Sequence, residues 1–255
     1  MIILKSEQEI AAMRRAGRLA AEALREVVVR IRPGVATREL DEVAEAYIRR
    51  HGGVPSFKGY RGFPASICAS IDDEVVHGIP GRRKLRPGQI VSVDLGVLIG
   101  GFHGDVAVTV PAGEVDPQTA RLLQVTREAL GRGVAQVRPG ARLGDVARAI
   151  QEHAEAAGFS VVRDFAGHGI GRNLHEEPQV PNFGQRGTGN LLKPGVALAI
   201  EPMVNRGGPE VTMDPDGWTV RTRDGSPSAH FEHTVVVTRD GVEILTGLDG
   251  ESLLD

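Results

Sequence analysis

Leu85-Arg86-Pro87-Gly88-Gln89-Ile90-Val91-Ser92-Val93-Asp94 and, 107 residues on, Leu192-Lys193-Pro194-Gly195-Val196-Ala197-Leu198-Ala199-Ile200-Glu201 follow one plan: a proline-glycine turn, an apolar strand and an acid at its end. The repetition extends outward. Arg32-Pro33-Gly34 and Arg138-Pro139-Gly140 lie 106 residues apart, and each separates two helical stretches. Before the first, Ser6-Glu7-Gln8-Glu9 fits a capping box for a helix reaching to about Arg30. After it, Thr37 is the expected cap of a helix over about Arg38 to Arg50, with Leu40, Val43, Ala44, Tyr47 and Ile48 at helical spacing. In the second half, Asp116-Pro117 caps a third helix, and a fourth runs from about Leu143 to Ala157. A period this long lies outside the range of solenoid repeats. It predicts a single α/β (α+β) domain over 1–255, made of two similar halves, about 1–113 and 114–255.

Composition narrows the classes. With 255 residues, 41% of them hydrophobic, the chain can bury a sizeable core. Its lone cysteine, Cys68, cannot form an internal disulfide, and Met1-Ile2-Ile3-Leu4 turns charged at once instead of continuing as a secretion signal. A cytoplasmic location is therefore expected, with no membrane partner, since no apolar run is long enough to span a bilayer. A net charge of -3 is too balanced for a polyanion-binding surface, so no nucleic-acid partner is expected.

The chemistry lies at the strand ends. Asp94 after a β-branched strand is a carboxylate at the edge of a core, costly unless paired or bound to a cation. Asp105 follows 11 residues later, and Gly96, Gly100, Gly101 and Gly104 between them suit a hairpin that sets the two acids side by side. Glu201 occupies the matching position in the second half, and Glu232 opens another β-branched run, Thr234 to Thr238. His168 sits in Gly167-His168-Gly169-Ile170-Gly171, where glycines let backbone approach closely. Singly, each has an ordinary reading as a turn former or structural histidine. Together, four carboxylates and one imidazole form a hard-donor set for two divalent ions of the Mn, Fe, Co or Zn kind, and such a pair activates water and polarises a carbonyl. His51, His103, His153, His230 and His233 read as solvated or structural, with His233 on the strand face opposite Glu232.

The order Asp94, Asp105, His168, Glu201, Glu232, with gaps of 11, 63, 33 and 31, resembles the five metal ligands of the methionine aminopeptidases and their pita-bread relatives. Around them stand His77-Gly78-Ile79-Pro80, Val93-Asp94-Leu95-Gly96, His175-Glu176-Glu177-Pro178 and Glu201-Pro202-Met203. No long insertion separates His175 from Glu232, which resembles type I. The resemblance covers nearly the whole chain. It implies two pseudo-symmetric αβ halves around a curved antiparallel sheet. It also implies removal of the initiator methionine from nascent proteins, with a small second residue preferred, by a hydroxide held between two metal ions. By the same resemblance Asp105 and Glu232 bridge the ions, Asp94 chelates one, and His168 and Glu201 complete the other. Glu201 also relays a proton, and His77 and His175 are catalytic and substrate-binding.

Tyr60, Phe63, Cys68 and Trp218 are candidates for the methionine pocket, since thioether sulfur favours ring edges. A plain core cluster accounts for the aromatics from Phe57 to Phe63 equally well, and family position favours the pocket. Phe57 stands where many bacterial relatives have cysteine, and Asp72 where asparagine is common near a monovalent-cation site, so a further monovalent ion is possible by resemblance. A monomer that touches ribosomes transiently is expected. The rivals are a proline-specific aminopeptidase of the same superfamily, which usually carries an extra N-terminal domain, and a metal-free pita-bread protein that binds peptides.

Overall fold

In the computed structural model, residues 1–248 are described. The chain runs α1 (Glu7–Val28), α2 (Thr37–Arg50), β1 (Val54–Pro55), a 3-10 turn (Tyr60–Gly62), β2 (Cys68–Ile71), β3 (Glu74–Val76), β4 (Gln89–Ile99) and β5 (Phe102–Ala112). It continues through α3 (Pro117–Val134), α4 (Leu143–Ala156), β6 (Ser160–Val161), β7 (Ala166–Gly169), β8 (Glu176–Pro181), β9 (Ala197–Ile200) and β10 (Met203–Asn205). The last strands are β11 (Val211–Met213), β12 (Val220–Thr222), β13 (Ser228–His230), β14 (Glu232–Val237) and β15 (Val242–Ile244). Among the described residues the main sheet has nine strands, ordered β1-β4-β5-β14-β9-β7-β8, with β2 beside β4 and β15 beside β14. Its registered pairs are all antiparallel. No helix among the described residues is long and apolar enough to cross a membrane.

The helix starts follow local chemistry. Ser6 and Glu9 form the expected capping box on α1, and the Asp116 carboxylate accepts from the amides of Gln118 and Thr119 at the head of α3. The start of α2 differs from the sequence reading. Its N-cap is Ala36, whose amide donates to the Glu39 carboxylate, while the Thr37 hydroxyl is drawn away to the backbone of Gly81. Two strands also correct expectation. Asp94 does not end its strand, because β4 continues through Gly96 to Ile99 before Gly100 and Gly101, both at positive φ, make the turn. His168 lies within β7 and not in a loop.

Alternation along the strands buries a continuous apolar layer, including Ile90, Val91, Val93, Leu95, Val106 and Val108, under the helices. Helix α1 presents Leu19, Ala20, Ala23, Leu24 and Val27 to it. The backbones meet where both partners lack side chains: a Cβ on Gly104 of β5 would lie 2.5 Å from the Gly17 amide nitrogen, and one on Gly17 would collide with the Leu245 carbonyl. Gly104→Ala is expected to lower the unfolding free energy by about 1–3 kcal/mol, as overpacking does. Urea denaturation would measure it, and an unchanged midpoint would show that the helix can shift freely.

Candidate metal centre

Strand register gathers the acids. Ala107 on β5 is opposite Asp94 on one side and Glu232 on the other, and Asp105, two residues before Ala107, faces the same way. Thr234 stitches this arrangement: its hydroxyl donates to the Asp105 carbonyl at 2.8 Å and accepts from the Asp105 amide at 2.9 Å. From the other side, His168 on β7 is opposite Ala199 on β9, and Glu201 follows two residues after Ala199. Close approach of these strands depends on glycines, since a Cβ on Gly167 would strike the Ala199 carbonyl and one on Gly169 the Glu177 carbonyl.

The result is a buried cluster. Metal-ligand atoms of Asp105, His168 and Glu232 all lie within 4.8 Å of one another. His168 Nε2 is 3.6 Å from Glu201 Oε1 and 3.9 Å from Asp105 Oδ2. Its Nδ1 lies 2.8 Å from the Gly169 carbonyl oxygen. Donating a proton there leaves the Nε2 lone pair directed at the acids, the usual orientation of a metal-binding imidazole. Asp94 borders the same cavity.

Among the described residues, donors do not reach every oxygen of this cluster. Asp94 Oδ1, Asp105 Oδ1 and Glu232 Oε1 are buried with no hydrogen-bond partner, an arrangement native proteins rarely tolerate. Burial pushes the Glu201 carboxyl up to about 8, and burial together with the Glu201 charge does the same to Asp105. Burial and neighbouring acids push Asp94 and Glu232 up as well. Burial draws His168 down to about 3, which keeps its ring neutral and able to ligate. Divalent cations fit these donors, because they replace the missing hydrogen bonds and cancel the repulsion.

The other residues singled out in the sequence line the same cavity, of about 140 Å³: Tyr60, Phe63, Cys68, His77, His175 and Trp218. His175 stands beside His168, ring centroids 4.2 Å apart, and its Nδ1 is 2.9 Å from the Tyr60 hydroxyl. A phenol that donates to Nδ1 leaves the proton of His175 on Nε2. Desolvation lowers the His175 pKa, and the Arg61 guanidinium lowers it further. His77 holds a left-handed backbone, φ 61, uncommon for a residue with a side chain. Burial takes it down to about 4. Its ring stands edge-on to Trp218, which meets Phe63 edge-on at 5.1 Å. Phe57, Phe63 and Cys68 belong to a buried apolar cluster against which Tyr60 and Trp218 pack, so these residues are at once core and cavity wall. Burial and the nearby acids raise the Cys68 thiol well above its ordinary value, leaving it unsuited to act as a nucleophile.

Of the remaining histidines, His233 turns away from the cluster to Thr246, His103 meets Ser56, His153 meets Glu128, and His51 meets the Tyr47 carbonyl. His230, read from sequence as structural, is buried at the cluster with Nε2 3.5 Å from Glu201 Oε2. Its place two residues before Glu232 was the available signal. Arg61, also on the cavity wall, carried no sequence signal. Asp72 engages both carboxylate oxygens, with Gln89 and the Ile90 amide, and its carbonyl accepts from the Ser228 amide.

The sign of pH dependence follows from these shifts. Carboxyls with folded-state pKa values raised to about 8 contribute stability that is complete below their ordinary values near 4 and is lost as pH rises through about 8. The lowered histidines contribute fully above their ordinary value of 6.5. Chelator-treated protein is therefore expected to lose Tm between pH 6.5 and 9, and added divalent metal to abolish that loss. A Tm of chelated protein that is flat across this window would contradict the cluster's electrostatics.

The profile of metallopeptidase family M24 matches residues 11–239. Methionine aminopeptidase 1 of Bacillus subtilis is 49% identical over 246 residues, 96% of this chain and 99% of that protein. The crystal structure of methionine aminopeptidase from Rickettsia prowazekii superposes with a TM-score of 0.95 at 45% identity, covering 96% of this chain and all of the other. The prolidase of Pyrococcus furiosus, 22% identical, shares the fold at a TM-score of 0.79, with 97% of this chain matching 66% of that one. The α/β architecture around an antiparallel sheet is thus the one these proteins share.

Proposed function

Because this chain belongs to metallopeptidase family M24, on its methionine aminopeptidase branch, we propose that its buried cluster hydrolyses the first peptide bond of chains that begin with methionine. The observation that carries this reading is the convergence of five metal-type donors and an aromatic wall on one cavity. The enzyme is a metal-dependent hydrolase. Asp94, Asp105, His168, Glu201 and Glu232 would hold two divalent ions, of the Co, Mn, Fe or Zn kind, as their unpartnered buried oxygens and neutral imidazole favour. When bound, such ions supply an activated water and a Lewis acid for the scissile carbonyl.

The chain's own groups do the rest. Phe63, Trp218, Tyr60 and Cys68 receive the methionine side chain, whose sulfur gains from ring edges. His175, oriented by Tyr60, and His77, fixed by its backbone, present ring nitrogens to the carbonyl oxygen and amide nitrogen of the bond that breaks. Glu201 takes a proton from the attacking water as the carbon–oxygen bond forms, then gives it to the departing amine as the carbon–nitrogen bond breaks. His230 stands close enough to Glu201 to steady that carboxylate.

We read 1–255 as one catalytic domain of two related halves, about 1–113 and 114–255, of which 249–255 lie outside the described residues. The cluster supports this by drawing Asp94 and Asp105 from the first half and His168, Glu201 and Glu232 from the second. The substrates are nascent polypeptides with a small second residue. The enzyme works in the cytoplasm as a monomer with transient ribosome contact, which co-sedimentation at physiological salt tests.

Metal-free protein titrated with Mn(II), Co(II) or Fe(II) is expected to release methionine from Met-Ala-Ser and to leave Ala-Pro-Ala intact. Cleavage of the proline peptide alone would move the chain to the proline-specific branch, and silence on both would make it a binding protein. His175→Ala and His77→Ala should each lower kcat about 10²- to 10³-fold, as loss of an oriented donor does, with metal affinity by calorimetry unchanged. A matching loss of metal affinity would make the histidine a ligand.

A further inference from the structure

Arg61 touches the chemistry above only through its charge on His175, yet it is a cation on the wall of the reaction cavity. It lies in the Tyr60–Gly62 turn with φ 48 and ψ 24, a left-handed backbone that a side chain rarely adopts. Four backbone hydrogen bonds close that turn: Tyr60 to Phe57, Gly62 to Gly59, Phe63 to Tyr60, and Gly59 to Phe63. The side chain is exposed, and among the described residues no carboxylate pairs with it. Other cations near the cavity are engaged by acids. Arg221 holds Asp73, Glu74 and Asp214, and Arg83 holds Glu74. Lys58, three residues before Arg61, is taken by Glu45.

A continuous stack leads from the cluster to this charge. His168 and His175 are 4.2 Å apart, His175 and Tyr60 5.2 Å, and the Arg61 guanidinium lies 5.4 Å from the Tyr60 ring. A peptide held with its first bond at the cluster advances about 3.3–3.6 Å per residue. A peptide that runs from the cluster along this stack would bring its second to fourth residues after the methionine level with Arg61. Stacking on Tyr60 limits the freedom of the guanidinium and so the entropy lost when it takes an anion.

We infer that Arg61 is a specificity-determining residue that favours substrates bearing a carboxylate two to four residues beyond the amino-terminal methionine. This rests on the proposed aminopeptidase activity. The carboxylate comes either from an aspartate or glutamate side chain or, in a short peptide, from the free carboxyl terminus. The contact is made equally in bound substrate and transition state, so it lowers KM and leaves kcat alone.

The test compares Met-Ala-Ser-Ser-amide, Met-Ala-Asp-Asp-amide, Met-Ala-Lys-Lys-amide and Met-Ala-Ser-Ser with a free carboxyl terminus, on metal-loaded enzyme at low salt. The acidic amide is expected to exceed the neutral amide about two- to fivefold in kcat/KM, the scale of an exposed ion pair, and the lysine amide to fall below it. High salt should flatten the series, since screening shortens to about 3 Å at 1 M. An advantage of the free acid alone assigns the effect to the carboxyl terminus and removes its relevance to longer chains. Arg61→Lys should keep the acidic preference, Arg61→Gln erase it and Arg61→Glu invert it, each read as the ratio of kcat/KM on the acidic amide to that on the neutral amide within one variant, so that any change reaching kcat through His175 cancels. Equal cleavage of acidic and basic amides, or a preference that survives Arg61→Gln, overturns the inference. Absence of release even from the neutral amide would refute the aminopeptidase reading, and the inference would fall with it.

Discussion

Repulsion among buried carboxylates is the constraint around which this protein is arranged. Among the described residues, Asp94, Asp105 and Glu232 each keep a buried oxygen with no hydrogen-bond partner, and Glu201 stands next to His168 and His230. An apolar interior makes such a group of charges untenable by itself. Neighbouring features follow from this. His168 is pinned by the Gly169 carbonyl so that its free nitrogen faces inward, and the Cys68 thiol is held protonated by burial and by the same negative field. The requirement for a cation is thus written into the protein's own energetics as well as into its reaction.

A stiff frame holds these charges in place. Thr234 ties β14 to β5 through both polar groups of Asp105, and the contact between Gly104 and Gly17 seats α1 directly on the strand that carries that acid. Across the cavity, Arg221 binds Asp73, Glu74 and Asp214 together, which locks β3 to the β11–β12 hairpin between whose strands Trp218 lies. His77 leaves the end of β3 from that anchored base, and its left-handed backbone aims the ring at the cavity. Side chains that line the cavity are therefore set by residues that do not.

Much of this was legible in the chain. Glycines between Asp94 and Asp105 announced the hairpin, Ser6 with Glu9 and Asp116 with Pro117 announced two helix starts, and five acids and imidazoles at strand positions announced the cluster. Local signals misled where tertiary contacts took over. Gly96 looked like the start of a turn, yet pairing with Asp105 keeps β4 extended through it, and Ser56 and Phe57 pack where a side chain would have been. By contrast, the glycines around His168 announced a close backbone approach, and they let β7 lie against β8 and β9. Thr37 had the chemistry of a cap, but Gly81, distant in sequence, offered its hydroxyl both a donor and an acceptor. His230 carried one signal, its place two residues before Glu232, whereas nothing near Arg61 in sequence reveals which cavity it borders.

The sheet order has a consequence for synthesis on the ribosome. Strand β14 lies in the middle of the sheet, between β5 and β9, yet it is among the last strands to be made. Until it emerges, β5 and β9 each present an unsatisfied edge of amides and carbonyls, and apolar runs such as Val106 to Val110 and Ala197 to Ile200 border those edges. A chain stalled or cut before Glu232 would carry two adhesive edges and an incomplete donor set, so for this protein the interval between translating β9 and translating β14 is the window in which chaperones matter most.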